Sequence, residues 1–331
     1  MMYTEVNSSR ARITAIGSYV PSQILSNADL EKLVDTNDAW IVQRTGIKER
    51  RLAASNEYTS HLCVKAIADL IHRYDVVIEE TDLIIVATHT PDLPFPSVAS
   101  LIQAHYGIPS AGAIDLNATC AGFTYGLHMA NGMISAGLHR KILVVGADTM
   151  SKITDYSDRS TCILFGDGAG AVLVERDDEH PSFIAHHLGS DGHGGKHVYR
   201  TGLSSELHGQ PLAGNGKLVQ NGPEVYRFAV TTVPLGIEQL LAHSGLLKEE
   251  IDWFIPHSAN LRIIESICEK SGIPIDQALY SLVYYGNTSA ASIPLALDLG
   301  IKEKKVKAGD NLLLYGFGGG LVHAGLIMRW G

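Results

Sequence analysis

The stretch Glu79-Glu-Thr-Asp82-Leu-Ile-Ile-Val86 returns later in the chain as Glu249-Glu-Ile-Asp252-Trp-Phe-Ile-Pro256. Each copy is an acidic, turn-like step into a short apolar run, which reads as a buried strand. The offset is 249 − 79 = 170. Gly107-Ile-Pro109 recurs as Gly272-Ile-Pro274 (272 − 107 = 165), and Ser135-Ala-Gly137 as Lys307-Ala-Gly309 (309 − 137 = 172). Lys141-Ile-Leu-Val-Val-Gly146 is echoed by Leu312-Leu-Leu-Tyr-Gly316 (316 − 146 = 170). Matches in one order at nearly one spacing mark a duplicated unit. Strand-like runs alternate with helix-length amphipathic segments in each half, the pattern of an α/β fold with a mostly parallel sheet covered on both faces. The repeat therefore predicts two similar halves, residues 1–178 and 179–331.

Three helices can be read directly. From Thr59 to Tyr74, Leu62, Ala66, Ile67, Leu70 and Ile71 share one face, with Cys63 beside it. A second is expected to start at Pro223, where proline suits the first turn, and to run through Tyr226, Val230, Val233 and Ile237 toward Leu240. The third runs from Asn260 to Ser271 and stops at Gly272, burying Ile263, Ile264, Ile267 and Cys268. Cys63 and Cys268 are thus packing residues, as is Cys162, which sits in an apolar, strand-like run.

The chain has 331 residues, 45% hydrophobic and 18% charged, with a formal net charge of −9. That balance argues against a nucleic-acid partner, which needs clustered Lys and Arg. The four cysteines have no CxxC or CxxH spacing, so neither a disulfide framework nor a zinc site is expected, and the compartment reads as reducing. Met1-Met-Tyr-Thr-Glu-Val-Asn7 lacks the basic and apolar regions of a secretory signal, and no apolar run is long enough to span a bilayer. A cytoplasmic protein without a membrane partner is the expectation.

The fourth cysteine stands apart. Asn117-Ala-Thr-Cys120-Ala-Gly-Phe-Thr-Tyr-Gly126 places Cys120 between a β-like segment, Ala113 to Leu116, and a helical stretch rich in small residues. A thiol at a helix N-terminus meets unpaired N–H groups and the positive dipole end, so a lowered pKa is expected. The spacing 287 − 120 = 167 falls within the repeat offsets, which makes Cys120 and Asn287 related positions of the two halves. His257 follows the strand-like Trp253 to Pro256. Strand ends of α/β sheets are where ligands bind. A Cys, a His and an Asn delivered there suit acyl-thioester chemistry, with the sulfur taking an acyl group while imidazole and carboxamide donate to an oxyanion.

Ala118-Thr-Cys120-Ala-Gly-Phe, Pro256-His257-Ser-Ala-Asn260-Leu-Arg-Ile, Gly286-Asn287-Thr-Ser-Ala-Ala-Ser-Ile-Pro and Gly316-Phe-Gly-Gly-Gly320 together resemble the thiolase superfamily, and more closely β-ketoacyl-acyl carrier protein synthase III. Asp38-Ala-Trp40-Ile-Val-Gln-Arg44-Thr-Gly-Ile, Asp158-Arg159 and Phe165-Gly-Asp-Gly-Ala-Gly170 extend the likeness over nearly the whole chain. The resemblance implies a layered αβαβα thiolase fold and the initiating step of type II fatty-acid synthesis. In that step Cys120 takes an acyl group from acyl-coenzyme A, and malonyl-acyl carrier protein then condenses with it by decarboxylation.

Carried over residue by residue, the resemblance implies that His257 and Asn287 hold the malonyl thioester oxygen, and that the N–H groups of Cys120 and Gly319 form a second oxyanion hole. It implies coenzyme A contacts from Trp40, Arg44, Arg159 and Asn260, and a homodimer in which Phe95 reaches the partner subunit's acyl pocket. Arg227, Arg262 and Lys270 are a candidate patch for the acidic carrier protein. No cofactor and no metal are implied. Thr119 and Ser258 depart from the family pattern, where Ala and Gln are more common, at positions expected not to touch the chemistry. Starter enzymes and acyltransferases of secondary metabolism share the triad and remain open, as does a simple thioesterase.

Other signals point elsewhere. Gly166-Asp-Gly168-Ala-Gly170 lacks GxGxxG spacing and runs into a strand, against a dinucleotide loop. His193 and His197, with His186 and His187 nearby, fall in a Gly-rich stretch read as a solvated loop rather than a metal site. No GxSxG elbow is present. The glycine region Gly316 to His323 holds no second cysteine, as a degradative thiolase would require, and Asn287 stands where elongating synthases bring a second histidine.

Overall fold

The structure, a computed structural model, describes residues 9–331; the N-terminal stretch read for a targeting signal lies outside them. One sheet holds β1 (Ala11–Tyr19), β2 (Leu83–Ala87), β3 (Gly112–Leu116), β4 (Lys141–Thr149) and β5 (Asp167–Arg176) in the order β1-β5-β4-β2-β3. A second large sheet holds β6 (Phe183–Ser190), β7 (Trp253–Pro256), β8 (Asn311–Gly318) and β9 (Val322–Arg329) in the order β6-β9-β8-β7. β2 runs parallel to β3 and β4, and β5 antiparallel to β4 and β1. In the second sheet β7 is parallel to β8, and β9 antiparallel to β8 and β6. The place of β3 is taken there by a single parallel bridge between Phe254 and Ala278.

The longer helices are α1 (Asp38–Thr45), α2 (Thr59–Tyr74), α3 (Val98–Tyr106), α4 (Gly122–Ser135), α5 (Gly222–Ser244), α6 (Leu261–Ser271) and α7 (Ser292–Lys302). α4 and α7 touch both sheets and form the middle layer, while α2 and α3 cover the first sheet and α5, with α6 beside it, covers the second. This is the αβαβα layering that the repeat and the resemblance led us to expect. Leu127 and Ile134 of α4 and Ile293 and Leu297 of α7 share one apolar cluster with Ile85, Val144, Leu312 and Leu314 from the two sheets. The middle helices are therefore buried on several sides, and α7 reads Ser292-Ile-Pro-Leu-Ala-Leu with little polar relief.

The Gly-Ile-Pro match has a physical basis. Gly107 ends α3 and Gly272 ends α6, each in the left-handed region with φ of 63° and 65°. α2 occupies the span read from its stripe, with Cys63 buried. α5 starts one residue before Pro223; along it Val230, Val233 and Ile237 are buried, whereas Tyr226 is exposed, its hydroxyl 2.8 Å from that of Ser266 on α6. Cys162 is buried, but it closes a short helix, Arg159–Cys162, instead of lying in a strand, since Asp158 caps that helix by accepting from Ser160 N. His186 and His187 are not in a loop. They lie on β6, pairing with Leu326 and Gly325 of β9, and the Gly-rich residues Gly192–His197 form a 3-10 turn. No helix among the described residues is long and apolar enough to cross a membrane.

Candidate active site

Cys120 lies in a 3-10 turn, Thr119–Ala121, that leads from β3 into α4; the turn Ser289–Ala291 leads into α7 in the same way. Thr119 and Ser289 both have positive φ, 45° and 53°, an uncommon conformation for residues with a side chain. Their offset, 289 − 119 = 170, fixes the register of the repeat. Cys120 is thus the counterpart of Ala290, and Asn287 the counterpart of Asn117, which corrects the relation expected between Cys120 and Asn287. The turns meet because glycines on the opposite central strands let them approach. A Cβ at Gly316 of β8 would stand 2.7 Å from Ala121 Cα, and one at Gly146 of β4 would run into the carbonyl oxygen of Ala290. Gly318 is equally constrained, since its Cβ would lie 2.9 Å from that of Cys120.

Cys120, His257 and Asn287 line one cavity of about 1190 Å³. His257 follows β7, and its N–H donates to Tyr315 O across to β8 at 2.8 Å. Its Nδ1 lies 2.7 Å from Ser292 Oγ, and the Ser258 N–H donates to that same oxygen at 3.2 Å. Ser258 uses one of the hydroxyl's two acceptor sites; with the Ser292 proton turned to Nδ1, the ring proton sits on Nε2. Burial lowers the His257 pKa to about 3, against an opposing pull from Asp148, so the imidazole is neutral. Asn287 is held by its own N–H donating to Leu164 O at 2.8 Å and its carbonyl accepting from Gly166 N at 3.0 Å. Its Oδ1 accepts from Ser289 N at 2.9 Å, which turns the amide NH2 away from that contact. Arg50, fully buried, braces the same loop by donating to Ile163 O.

The lowered thiol pKa expected of Cys120 is overturned. Burial pushes it up to about 12, with Ser289 Oγ, which donates to Sγ at 3.4 Å, acting in the opposite direction. The helix N-terminus is present, but desolvation of an anion in an enclosed site outweighs half a unit charge. Below the site lies Asp148, fully buried at the end of β4. It accepts from Thr88 Oγ1 (2.9 Å), Thr90 Oγ1 (2.8 Å), His89 N (3.0 Å) and Ala290 N (3.3 Å). Burial alone would raise its pKa; the neighbouring His89 and these donors hold it below the ordinary value. His89 Nδ1 stands 3.2 Å from Asp148, off line for a hydrogen bond, and its ring lines the cavity.

Trp40 on α1, Arg44 and Asn260 line the same cavity, together with Arg262 and Tyr226. The guanidinium carbons of Arg159 and Arg44 lie 5.0 Å and 5.8 Å from the Trp40 ring centroid. Arg262 donates to Gln43 O at 2.9 Å, Arg227 pairs with Glu224 at 3.0 Å, and Lys270 donates to Val230 O at 3.0 Å. Gly319 lines the cavity and its carbonyl accepts from Thr119 Oγ1 at 2.8 Å. Thr119 and Ser258, expected to stand clear of the chemistry, are therefore hydrogen-bonded to the glycine run and to the serine behind His257. Phe95 is 84% exposed.

Comparison with known proteins agrees with this geometry. Residues 114–192 match the family 3-oxoacyl-[acyl-carrier-protein (ACP)] synthase III, and residues 241–330 its C-terminal counterpart. A relative from Halalkalibacterium halodurans, named β-ketoacyl-[acyl-carrier-protein] synthase III 2, is 65% identical over 98% of this chain and 98% of its own. The chain belongs to the 3-oxoacyl-[acyl-carrier-protein] synthase III family. It is an acyltransferase of the synthase III type with a thiolase-like fold. The solved synthase III of Thermus thermophilus superposes with a TM-score of 0.93 at 44% identity, covering 97% of this chain and 99% of that one. The priming β-ketosynthase of the R1128 polyketide pathway superposes at 0.91 with 34% identity, covering 99% of both chains.

Sequence reasoning missed four residues of this synthase III site: Ser289, Ser292, Asp148 and His89. Thr288-Ser-Ala-Ala-Ser292 carried a signal for the first two, because hydroxyls spaced along the entry to an otherwise apolar helix have few partners but each other and the site. Asp148, at the end of an apolar strand, was the kind of carboxylate that must find donors if buried.

Proposed function

We propose that this chain starts fatty-acid synthesis by condensing a short acyl-coenzyme A primer with malonyl-acyl carrier protein, with Cys120, His257 and Asn287 as its catalytic residues. One observation carries the reading: a cysteine, a neutral histidine and an amide held by its oxygen line a single cavity. Cys120 sulfur attacks the acyl carbonyl, the carbon–sulfur bond to coenzyme A breaks, and the thiol proton ends on the departing coenzyme A. Malonyl thioester then loses CO2, and the electron pair of the broken carbon–carbon bond moves onto the thioester oxygen as an enolate. His257 Nε2–H and the Asn287 amide donate to that oxygen. The enolate carbon attacks the acyl carbonyl, whose developing charge meets the N–H groups of Cys120 and Gly319, and Cys120 leaves as thiolate. Each such donor is worth about 100- to 1,000-fold in rate.

Trp40 with Arg44 and Arg159 supplies an aromatic and cationic face for the nucleotide end of coenzyme A, with Asn260 lining the same cavity. Arg227, Arg262 and Lys270 form the surface that meets the acidic carrier protein. Phe95 reaches the acyl pocket of a partner subunit in a homodimer, in keeping with the exposure of so large an apolar side chain. The halves divide at residues 178 and 179, acyl-coenzyme A is a substrate rather than a cofactor, and the enzyme works in the cytoplasm. Initiation of fatty-acid synthesis is preferred to a secondary pathway because the synthase III relative from Halalkalibacterium halodurans reaches 65% identity, against 34% for the polyketide priming enzyme.

The test is intact-mass analysis of the enzyme after acyl-coenzyme A, followed by malonyl-carrier protein. Acyl mass should appear on the wild type and not on Cys120→Ala. His257→Ala and Asn287→Ala should still acylate but form no β-ketoacyl product. An acyl-enzyme that only hydrolyses in the presence of malonyl-carrier protein would make it a thioesterase and overturn the proposal.

A further inference from the structure

Burial leaves Cys120 with a problem that the three proposed catalytic residues do not solve. Its thiol is pushed up to about 12, and His257, at about 3, is too weak a base to hold the thiol proton. Something must stabilise negative charge on the sulfur when it attacks and again when it leaves. Ser289 is fully buried and its hydroxyl donates to Cys120 Sγ at 3.4 Å. The same residue's N–H donates to Asn287 Oδ1 at 2.9 Å. Both contacts depend on its left-handed backbone, φ 53°, a conformation costing a residue with a Cβ roughly 1 kcal/mol or more. Residues held in such regions concentrate where the geometry serves a site. Thr119, its counterpart in the other half, keeps the same conformation but turns its hydroxyl to Gly319 O at 2.8 Å. The two turns thus share a backbone and differ in what the hydroxyl serves.

We propose that Ser289 is a further catalytic residue, donating a hydrogen bond to the sulfur of Cys120 in its thiolate form while its backbone N–H fixes the Asn287 amide. The inference rests on Cys120 being the nucleophile. A hydrogen bond to a charged group outweighs one to a neutral group, so the donor stabilises the thiolate more than the thiol. One short turn then couples the nucleophile to the enolate site: the side chain acts in acyl transfer and the main chain in decarboxylation. Replacing the side chain removes only the first function, because the N–H remains.

The test uses the full-length enzyme with Ser289→Ala and Ser289→Gly, the glycine variant also releasing the backbone strain. The rate of Cys120 alkylation by iodoacetamide is followed by peptide mass, which separates Cys120 from the three buried cysteines. In both variants the alkylation rate at neutral pH should fall about 10- to 100-fold, as expected when the thiolate loses a hydrogen bond. Decarboxylation of malonyl-carrier protein, measured as CO2 release, should change less than threefold. An unchanged alkylation rate in either folded variant overturns the proposal, and so does a loss of decarboxylation as large as the loss of alkylation. Cys120→Ala, run beside them with acyl-coenzyme A, separates the two readings: if it still acylates, the nucleophile assignment fails, whatever the Ser289 variants show.

Discussion

Ser292 Oγ lies 2.7 Å from Nδ1 of His257, and both residues are buried. The hydroxyl comes from the first residue of α7, so the middle layer of one half sets the proton position on a histidine delivered by a sheet. With Nδ1 engaged as acceptor, Nε2 carries the hydrogen needed by an oxyanion. Ser292→Ala should release the ring to its other tautomer and slow decarboxylation of malonyl-carrier protein by about 10- to 100-fold. Acylation by acyl-coenzyme A should stay within about threefold of wild type, since Nε2–H plays no part in it. Nitrogen chemical shifts of labelled His257 would report the tautomer directly, and equal tautomers in wild type and variant would exclude this role.

The same histidine makes the fold acid-sensitive. Its folded-state pKa of about 3 lies below the ordinary value of 6.5, so the unfolded chain takes up the proton first. The stability due to the neutral ring is present above pH 6.5 and is lost as pH falls toward 3. Within that window the loss from this one group is at most about 1.4 kcal/mol per pH unit. Urea unfolding at pH 7, 6, 5 and 4 should therefore show a slope that is shallower in His257→Gln by nearly one proton. A slope identical in the two proteins would mean that His257 is charged or solvated in the folded state.

Sequence legibility followed physical locality. The helix cap at Gly272 and the stripe on α2 were readable because neighbours in sequence determine them. The repeat was readable because the same strand and turn must be built twice. Its exact register was not, since it is fixed by the positive φ of Thr119 and Ser289, which no residue type announces. The state of Cys120 was misread for a related reason: a helix N-terminus is a local feature, whereas desolvation depends on both sheets closing over the turn. The contact between the Tyr226 and Ser266 hydroxyls was not legible, because it joins residues 40 positions apart on two helices.

In the same cavity, Trp40→Ala should raise KM for acyl-coenzyme A about tenfold with kcat nearly unchanged, because the ring binds ground state and transition state alike. Arg159→Ala, which removes the nearer guanidinium, should move KM in the same direction by a smaller factor. Initial rates against acyl-coenzyme A and against acyl-pantetheine, which lacks the nucleotide, give the check. The two thioesters should differ for wild type and converge for Trp40→Ala. A Trp40→Ala enzyme that loses kcat equally on both would place Trp40 in structural support of α1.

Gly146 and Gly316 make the sharpest prediction about how the halves fit. Each lies on a central strand where the other half's catalytic turn presses against the backbone, so an added methyl group meets main chain, and at Gly316 the buried Thr124 hydroxyl as well. Rigid neighbours of that kind cannot yield without moving a turn, and overpacking typically costs about 1–3 kcal/mol. Gly146→Ala should therefore destabilise the enzyme by at least that much, by displacing Ala290 and with it Ser289. Gly316→Ala should do the same through Ala121 and Cys120. Gly132→Ala is the control: it sits within α4, nothing lies within 4 Å of the new Cβ, and alanine should add about 0.5–1 kcal/mol. Denaturant unfolding measures all three. The strand variants should also lose acylation beyond their loss of fold, because Sγ is carried by the displaced turn; a Gly316→Ala enzyme with normal stability and normal acylation would contradict the packing described for the two halves.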